Sequence, residues 1–483
     1  MSQLSLPQLA LLIDGEWRAP MSGRHFDTVN PASEEIIATV AEADRDDVDA
    51  AVQSAHRAFL SGVWSRRNGI ERARVLWAVA ARLRELESDI AVLESVDAGK
   101  PLAATRRQDI RAAVDCLEYF AGWADKLEGR TVPVREDALT YVSREPLGVV
   151  AAIVPWNFPL MNAVWKLAPA LACGCSVVLK PAELTPLSAL RLGEIFLECG
   201  LPRGVLNIVP GYGHITGQAL IEHPLVSKIS FTGSPGVGKH IMRTASERAI
   251  HVGLELGGKS PALIFADADL EAAARAVASG AFFNAGQVCS AATRVLVARE
   301  AHDRFVDSLT ARMAKIRTGD PLAAGTSMGP VISRKQQDGI LDAIEGAKKQ
   351  GATLAYAGDC DSPRGFFVPP TLFTDVTPDM AIAQKEIFGP VLGVTAFDGD
   401  AQGVALANDS RYSLAASVWS QDIKRAHAAA RAVRAGTVWV NTYGHTDTRL
   451  PWGGMGGESG VGRDLGRDAL ENYTEQKAVW VQL

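Results

Sequence analysis

One cysteine lies in a segment of small residues that suits nucleophilic chemistry. Residues 282–290 read FFNAGQVCS and place the thiol of Cys289 beside side chains of little bulk. A thiol attacks a carbonyl carbon as its thiolate, and it needs dry, positioned surroundings to do so. Glu255 supplies a carboxylate earlier in the chain, which could act as general base beside an apolar wall. From spacing alone, a buried structural cysteine and a solvated glutamate remain open alternatives.

A second segment has the composition of a phosphate-binding loop. Residues 233–239 (GSPGVGK) follow a predicted strand at 228–232 and precede a predicted helix. Backbone N–H groups at the start of such a helix face a phosphate. The segment approaches the ATPase P-loop pattern, but His240 stands where a Ser or Thr must bind Mg²⁺. A turn that requires small residues is the alternative.

Three polar residues follow predicted strands, where open parallel sheets bind their ligands. Lys180 and Glu183 end the strand at 176–180. A lysine there can bind ribose hydroxyls, and a carboxylate beside a 2′-hydroxyl repels a 2′-phosphate, which favours NAD over NADP. Two exposed loop charges are the alternative. Asn157 follows the strand at 148–155, where its amide could donate to an oxyanion, although asparagine in such turns is usually structural.

Strands and helices alternate along most of the chain. From residue 148 to about 258, and again from 260 to 397, this alternation predicts parallel, doubly wound sheets. Long packing helices are predicted at 70–94 and 104–121. The segment 132–146 alternates in polarity and predicts a strand that pairs with another element or another subunit.

Composition excludes several classes of protein. The chain has 483 residues, 47% of them hydrophobic and 22% charged, as in a globular protein of two or three subdomains. A net charge of −6 gives no basic footprint for nucleic acid. Six cysteines are too few for a disulfide scaffold, and no metal site is expected. No signal peptide or membrane span is predicted, so a cytoplasmic location is expected.

Seven short motifs together resemble the aldehyde dehydrogenase superfamily, and they occur in the order of that family over nearly the whole chain. They are 155–159 (PWNFP), 180–183 (KPAE), 231–234 (FTGS), 255–261 (ELGGKSP), 286–290 (GQVCS), 386–390 (EIFGP) and 460–463 (GVGR).

The resemblance implies a catalytic role for four residues. Cys289 would form a thiohemiacetal with the aldehyde, and its N–H and the Asn157 amide would form the oxyanion hole. After hydride transfer to the nicotinamide, Glu255 would activate the water that hydrolyses the thioester, and Lys166 would relay its proton. The residues implied to bind NAD are Trp156, Lys180, Glu183, Gly213, Gly233, Ser234, Glu386 and Phe388.

The resemblance also implies an α/β fold with two doubly wound parallel-sheet domains and a small β oligomerisation element. The NAD-binding domain would comprise 1–124 and 147–254, and the catalytic domain 255–454. Residues 125–146 and 455–483 would form the oligomerisation element and tail. A homodimer or homotetramer is therefore expected.

The residues around the presumed entrance indicate the substrate. Their positions resemble the aromatic box of betaine-aldehyde and aminoaldehyde dehydrogenases, which suits a quaternary ammonium. Asp109 could attract an amine at the mouth, or be a solvated helix residue. His445 and Arg449 would suit an anionic substrate instead. A betaine-type or ω-amino aldehyde is the first expectation; an aromatic or long aliphatic aldehyde and a CoA-acylating reaction are the alternatives. The residues of the box are Phe158, Trp165, Phe283 and Trp452.

Overall fold

The computed structural model of the chain describes residues 4–360, 362 and 364–483. In these residues the strands are β1 (Leu11–Ile13), β2 (Glu16–Arg18), β3 (His25–Val29), β4 (Ile36–Ala41), β5 (Arg130–Thr131), β6 (Ala138–Pro146), β7 (Val149–Ile153), β8 (Ser176–Lys180), β9 (Leu206–Ile208), β10 (Val226–Thr232), β11 (His251–Glu255), β12 (Pro261–Ile264), β13 (Arg294–Ala298), β14 (Thr353–Ala357), β15 (Thr371–Thr374), β16 (Val391–Phe397), β17 (Ala415–Trp419), β18 (Thr437–Val440), β19 (Gly460–Val461) and β20 (Thr474–Gln482).

The α-helices join these strands, and short π- and 3₁₀-helical segments extend some of them. In chain order the α-helices are α1 (Arg45–Ser61), α2 (Gly69–Glu85), α3 (Glu87–Ala98), α4 (Leu102–Ala104), α5 (Arg111–Ala121), α6 (Pro159–Cys173), α7 (Leu187–Glu198), α8 (Gln218–Glu222), α9 (Pro235–Ser246), α10 (Leu270–Phe282), α11 (His302–Met313), α12 (Arg334–Lys349), α13 (Ala381–Gln384), α14 (Gly399–Asn408), α15 (Ile423–Ala432) and α16 (Asp468–Glu471).

Two large sheets carry the fold. The first has the strand order β19-β11-β10-β7-β8-β9-β1-β2, and its centre from β11 to β9 is parallel. The second has the order β14-β15-β16-β13-β12-β17-β18 and is parallel except at β14. Parallel neighbours need crossover connections, and helices supply them here. The predicted α/β class with two doubly wound parallel sheets is therefore confirmed.

Strand β7 shows why the centre of the first sheet is apolar in both phases. Val150 and Ala152 pack in the core that contains α5, α6 and α7. Val149 and Ala151 pack in the core of α1, α8 and α9 on the other face. A strand that is covered on both sides buries every side chain, which is why its sequence does not alternate.

The predicted helix at 70–94 is wrong, because the chain forms two helices that meet at Leu86. Leu86 has φ −93° and ψ 9°, which leaves the helical region. Arg82 and Arg84 close α2, whereas Glu87 and Asp89 open α3. Each pair carries the charge that its helix end favours, so the junction is stabilised although the apolar periodicity runs through it.

The predicted helix at 104–121 contains a π-helical segment that periodicity could not reveal. It runs from Thr105 to Ile110, between α4 and α5. A π turn places an extra residue in the helix and shifts which side chains face inward. As a result Asp109 is completely buried, so its predicted position at the substrate mouth and its solvated alternative are both wrong.

A small third sheet has the order β20-β6-β5. Strand β6 pairs antiparallel with β20 along its whole length, from Ala138 opposite Gln482 to Pro146 opposite Thr474. The prediction of a strand within 132–146 that pairs with another element is confirmed by this contact inside the chain. Large apolar side chains stay exposed on this sheet, including Leu139, Tyr141, Trp480 and Val481. The domain bounds remain predictions.

None of the helices in the described residues is long and apolar enough to cross a membrane.

Candidate active site

One cavity, of about 440 Å³, receives side chains from the ends of both large sheets. It brings together most of the site residues that the sequence predicts. Lys166, Lys180, Glu183 and Gly213 lie outside its lining. The predicted residues that line it are Trp156, Asn157, Phe158, Trp165, Gly233, Ser234, Glu255, Phe283, Cys289, Glu386, Phe388 and Trp452.

The loop that carries Cys289 is held in a rare backbone conformation. Asn284 and Ala285 both lie in the left-handed region, with φ of 49° and 52°. For a residue with a side chain this costs about 1–3 kcal/mol, and surrounding contacts must hold it. The Gln287 side chain provides them, since it donates to the Asn284 carbonyl at 2.9 Å and accepts the Ile332 N–H at 2.9 Å. These hydrogen bonds hold the backbone of the loop that carries the Cys289 thiol.

Asn157 is tied directly to this loop. Its Nδ2 donates to the Gln287 carbonyl at 3.0 Å, and the Asn284 side chain donates to the Asn157 carbonyl at 3.0 Å. A primary amide carries a second N–H, so a donor remains in a residue that lines the cavity beside Cys289. The segment after Glu255 approaches from the other side, where a Cβ on Gly258 would come within 2.0 Å of the Cys289 carbonyl oxygen.

Glu255 is the last residue of β11 and is only 5% exposed. Burial raises the pKa of its carboxyl well above the ordinary value, and the negative charge of Asp464 raises it further. The positive charges of Lys166 and Arg463 act in the opposite direction. Within the described part of the chain, Glu255 Oε2 has no hydrogen-bond partner. A neutral carboxyl in this position is ready to exchange a proton with a nearby water or thiol.

The Cys289 thiol is also held in its neutral form. Burial raises its pKa to about 12, and the carboxylates of Glu386 and Glu255 contribute to the rise. When either carboxyl is protonated, and therefore neutral, the free energy needed to form the Cys289 thiolate is lower. The protonation state of Glu255 therefore affects how readily the Cys289 thiol ionises.

Lys166 contacts a carboxylate that the sequence interpretation missed. Its Nζ lies 3.1 Å from Asp464 Oδ2, with side-chain exposures of 0% and 8%. Asp464 lines the cavity, whereas Lys166 lies behind it. The signal for Asp464 was its place directly after the 460–463 motif.

Lys180 and Glu183 lie together at the end of β8. Lys180 Nζ donates to the Pro181 carbonyl at 2.9 Å and lies 3.4 Å from Glu183 Oε2. Burial lowers the pKa of Lys180, since its side chain is almost inaccessible. The alternative of two exposed loop charges is wrong for Lys180. Gly213 begins a π-helical turn, and a Cβ on Gly217 in that turn would lie 3.6 Å from Lys180.

The segment 233–239 is mostly the start of helix α9 and not a loop that precedes it, since α9 begins at Pro235 with Ser234 as its N-cap. The Ser234 hydroxyl accepts the Val237 N–H at 3.5 Å, so the helix begins with its amides directed toward the loop. Gly233 acts differently, because its own N–H donates to the Glu255 carbonyl at 3.0 Å. A Cβ there would also meet the Phe231 ring at 2.4 Å. Gly233 therefore contributes close backbone packing and no free donor.

Glu386 and Phe388 enter the cavity from the chain segment before β16. Glu386 Oε1 accepts the Gly258 N–H at 3.1 Å, and burial raises the pKa of this carboxyl to about 7. Phe388 has a left-handed φ of 56° and packs edge-on against Trp156 at 5.2 Å. Gln336 holds this conformation by donating to the Phe388 carbonyl at 2.9 Å. Gln336 also lines the cavity, and no sequence pattern had indicated it.

These residues fit a dinucleotide. A helix N-terminus suits a phosphate, and the carboxylates of Glu183 and Glu386 suit ribose hydroxyls. Among the described residues, no group of three or more His, Cys, Asp or Glu side chains is placed to hold a metal ion.

The other end of the cavity is aromatic. The rings of Phe158 and Phe283 are nearly parallel at 6.2 Å, and Trp165 and Trp452 meet edge-to-face at 6.1 Å. Around them the lining is mostly polar but uncharged. These polar residues are Gln108, Asn162, Ser279, Ser290, Tyr443 and Thr446.

The charged groups that were expected near this entrance are engaged elsewhere. Asp109 pairs with Lys100 in the protein interior. Arg449 is largely exposed and pairs with Asp447 at 2.6 Å. Neither Arg449 nor His445 is among the residues that line the cavity. The geometry therefore gives no support to a substrate that is recognised through an opposite charge at the mouth.

The fold and this cavity define an enzyme that combines a positioned thiol, a buried carboxyl and a dinucleotide-type surface. The sequence profile of the aldehyde dehydrogenase family matches residues 17–479. The chain belongs to the aldehyde dehydrogenase family, and the predicted enzyme class is confirmed.

Relatives with different substrates are similar to this chain to a comparable degree. An NAD⁺ complex of aldehyde dehydrogenase from Bacillus cereus is 46% identical, covers 99% of this chain and 97% of its own, and has a TM-score of 0.97. Betaine aldehyde dehydrogenase from Staphylococcus aureus, also with NAD⁺, is 40% identical with coverages of 99% and 96% and a TM-score of 0.97. Retinaldehyde dehydrogenase 3 from Homo sapiens is 44% identical, with coverages of 98% and 93%. Overall similarity therefore does not select the aldehyde.

Proposed function

We propose that this enzyme oxidises an aldehyde to the carboxylic acid, with NAD as cofactor, through a thioester on Cys289. The observation that carries the proposal is the meeting of Cys289, Asn157 and Glu255 in one cavity. Family membership and the NAD⁺ complexes of two similar enzymes support the choice of cofactor.

The Cys289 thiol would lose its proton to solvent water as its Sγ attacks the carbonyl carbon and forms a thiohemiacetal. The Asn157 amide and the Cys289 N–H would donate to the oxygen that becomes negative. NAD, when bound, supplies the acceptor for the hydride that leaves this carbon. The C–O bond then returns to a double bond, and a thioester remains on Cys289.

Glu255 would take a proton from the water that hydrolyses the thioester. Its raised pKa makes the Glu255 carboxylate a stronger base than that of an ordinary glutamate. Lys166 would pass the proton onward, because it contacts Asp464 and its charge acts on Glu255. The presence of the Glu255 carboxyl in the same cavity as Cys289 supports hydrolysis over transfer to CoA.

The proposed cofactor contacts divide between the two ends of NAD. Lys180 and Glu183 would hold the adenosine ribose, and the carboxylate of Glu183 disfavours a 2′-phosphate and therefore NADP. Glu386 would hold the nicotinamide ribose. The remaining proposed contacts are Trp156, Gly213, Gly233, Ser234 and Phe388.

For the substrate, the cavity supports an uncharged aldehyde with an aromatic or aliphatic tail best. The rings of Phe158, Trp165, Phe283 and Trp452 bury such a tail. A betaine-type aldehyde is the second candidate, because four aromatic rings surround this end and the Staphylococcus aureus enzyme is similar. We further propose a homodimer or homotetramer that forms through the exposed apolar side chains of the β20-β6-β5 sheet.

The test is a product assay with hexanal, benzaldehyde and betaine aldehyde, each with NAD and with NADP. We expect equal amounts of NADH and free acid in the absence of CoA, with NAD preferred. Cys289→Ala should remove turnover. Turnover by Cys289→Ala near that of the wild type, or a strict requirement for CoA, would contradict the mechanism.

A further inference from the structure

Helix α6 begins beside the active site without a side-chain cap of its own. Its N-cap is Phe158, whose side chain cannot accept a hydrogen bond, and its first residue, Pro159, has no N–H. Leu160 therefore carries the first backbone donor of α6, and the first donors of a helix have no partner within it. Since an N–H without a partner is destabilising in the protein interior, this donor needs an acceptor from elsewhere in the chain.

The acceptor is a carboxylate of helix α3. Glu94 Oε1 accepts the Leu160 N–H at 2.9 Å, although 66 positions separate the two residues. The Glu94 side chain is completely buried, and its Oε2 has no hydrogen-bond partner among the described residues. The first amides of a helix carry partial positive charge, which favours a carboxylate as their partner. Glu94 thus caps α6 from a different helix.

The contact can form whether or not Glu94 carries its charge. Burial and the negative charge of Asp109 raise the pKa of Glu94, whereas the positive charge of Lys100 acts in the opposite direction. A protonated carboxyl still has a carbonyl oxygen, which can accept the Leu160 N–H. The oxygen that accepts this hydrogen bond is therefore what α6 requires of Glu94.

The start of α6 closely follows Asn157, the proposed donor to the oxyanion. On one side, Asn157 exchanges hydrogen bonds with the loop that carries Cys289. On the other side, two residues separate it from Leu160. Glu94 therefore holds the second end of a short connection, and a displaced helix start would displace the amide. Glu94 does not line the cavity, so it acts on the reaction through the residues that it positions.

We propose that Glu94 is a positioning residue, which caps helix α6 and thereby keeps the Asn157 amide directed at the oxyanion. This inference rests on the proposed aldehyde oxidation, in which Asn157 donates to the substrate oxygen. It adds to that proposal a residue outside the cavity on which the geometry of the oxyanion hole depends.

The test measures the first turnover. Enzyme in excess over hexanal is mixed rapidly with it at saturating NAD, and the rate constant of NADH formation is recorded before hydrolysis of the thioester contributes. Glu94→Met removes the acceptor and should slow this step about tenfold, since small displacements of a catalytic group are costly. Glu94→Gln keeps an oxygen that can accept the Leu160 N–H and should stay within about threefold of the wild type. No slowing by Glu94→Met, or equal slowing by both variants, would overturn the inference.

A double-mutant cycle separates positioning from a general loss of structure. Asn157→Ala should slow the first turnover about 100-fold, as the loss of an oxyanion donor does. If Glu94 acts through Asn157, adding Glu94→Met to Asn157→Ala should slow it by at most about twofold more. A full further tenfold loss in the double variant would overturn the positioning role. Failure of the proposed function is distinguishable, since Asn157→Ala alone would then react like the wild type.

Asp97→Leu is the matched control. Asp97 lies one turn after Glu94 on α3 and is also buried, and its Oδ2 accepts the Leu187 N–H at 3.1 Å at the start of α7. Helix α7 likewise lacks a side-chain cap of its own, but none of its residues lines the cavity. The control therefore removes the same kind of contact and should leave the first turnover within about twofold of the wild type. Slowing equal to that of Glu94→Met would contradict a specific role of Glu94.

Discussion

Two buried lysine–aspartate pairs flank the active site, and they differ in what separates them from the cavity. Lys166 and Asp464 meet at 3.1 Å, and Asp464 itself lines the cavity. Lys100 and Asp109 are also in contact, but the rings of Phe158 and Phe283 stand between them and the cavity. The first pair therefore lies beside a titrating group, whereas the second lies against an aromatic surface.

The difference shows that residue type does not determine the role of a buried charge. The charges of Lys166 and Asp464 act on the pKa of Glu255, whereas the Lys100 ammonium lies against the Phe158 ring. In both places the pair must stay intact, since an unpaired buried charge costs more than the pair contributes. The predictions below break each pair separately.

The largest effect is expected on stability when the fully buried pair is broken. Lys100→Met leaves Asp109 buried without its partner and should lower the free energy of unfolding by about 3–5 kcal/mol. Lys348→Met removes an exposed partner of Glu345 and should cost at most about 1 kcal/mol. Urea denaturation checks both values. The double variant Lys100→Met/Asp109→Asn should recover most of the loss; equal costs for Lys100→Met and Lys348→Met would contradict the description of the buried pair.

Breaking the other pair should reduce catalysis. Lys166→Met leaves Asp464 unpaired near Glu255, which raises the pKa of Glu255 further and removes the proposed relay. We expect kcat at pH 7.5 to fall roughly 100-fold, within the range known for general acid–base groups. Steady-state NADH formation with hexanal measures this. Lys100→Met/Asp109→Asn should keep kcat for hexanal within about fivefold, and a loss equal to that of Lys166→Met would remove the distinction between the pairs.

The direction in which the pH profile of kcat shifts distinguishes the effects of the two charges in the Lys166–Asp464 pair. Glu255 acts as a base only when deprotonated, and its folded-state pKa is raised, so kcat should increase as pH rises through that pKa. Asp464→Asn removes a negative charge that raises this pKa, so the acid limb should move to lower pH by about one unit. Lys166→Met should move it to higher pH. Profiles of kcat measured from pH 5.5 to 9.5 test both shifts. Shifts of the two variants in the same direction would contradict the assigned charges.

A smaller effect is expected at a third, half-exposed pair. Glu183 lies 3.4 Å from Lys180 and carries the charge that is proposed to exclude a 2′-phosphate. Glu183→Ser should raise the ratio of kcat/KM with NADP to that with NAD by about tenfold, or about 1.4 kcal/mol. Glu475→Ser, an exposed change on β20, is the control and should leave the ratio unchanged. An unaltered preference in Glu183→Ser would place cofactor selection elsewhere.

Local patterns were enough to predict many of the residues that line the cavity. Cys289, Glu255 and Asn157 each lie in a short motif, and the apolar strands β7 and β8 were visible because a strand covered on both faces has no polar phase. The parallel sheets follow from the regular alternation of strands and helices. These features depend on neighbouring residues, which a sequence displays directly.

The remaining features depend on contacts between distant parts of the chain. Asp464 reaches Lys166 across 298 positions, and no local pattern announces that contact. Gln336 holds Phe388 from a helix 52 positions earlier. The π-helical segment changes which residues face inward without changing the apparent periodicity, and this is why Asp109 was expected at the surface of the entrance.

The central claim is that Cys289 is acylated during turnover and that Glu255 releases the acid. The most direct test is rapid mixing of Glu255→Gln with NAD and hexanal, followed at the absorbance of NADH. The account predicts a burst of about one NADH for each active site and then a steady rate at least 100-fold below that of the wild type. A steady rate close to that of the wild type, or slow NADH formation with no burst, would contradict it.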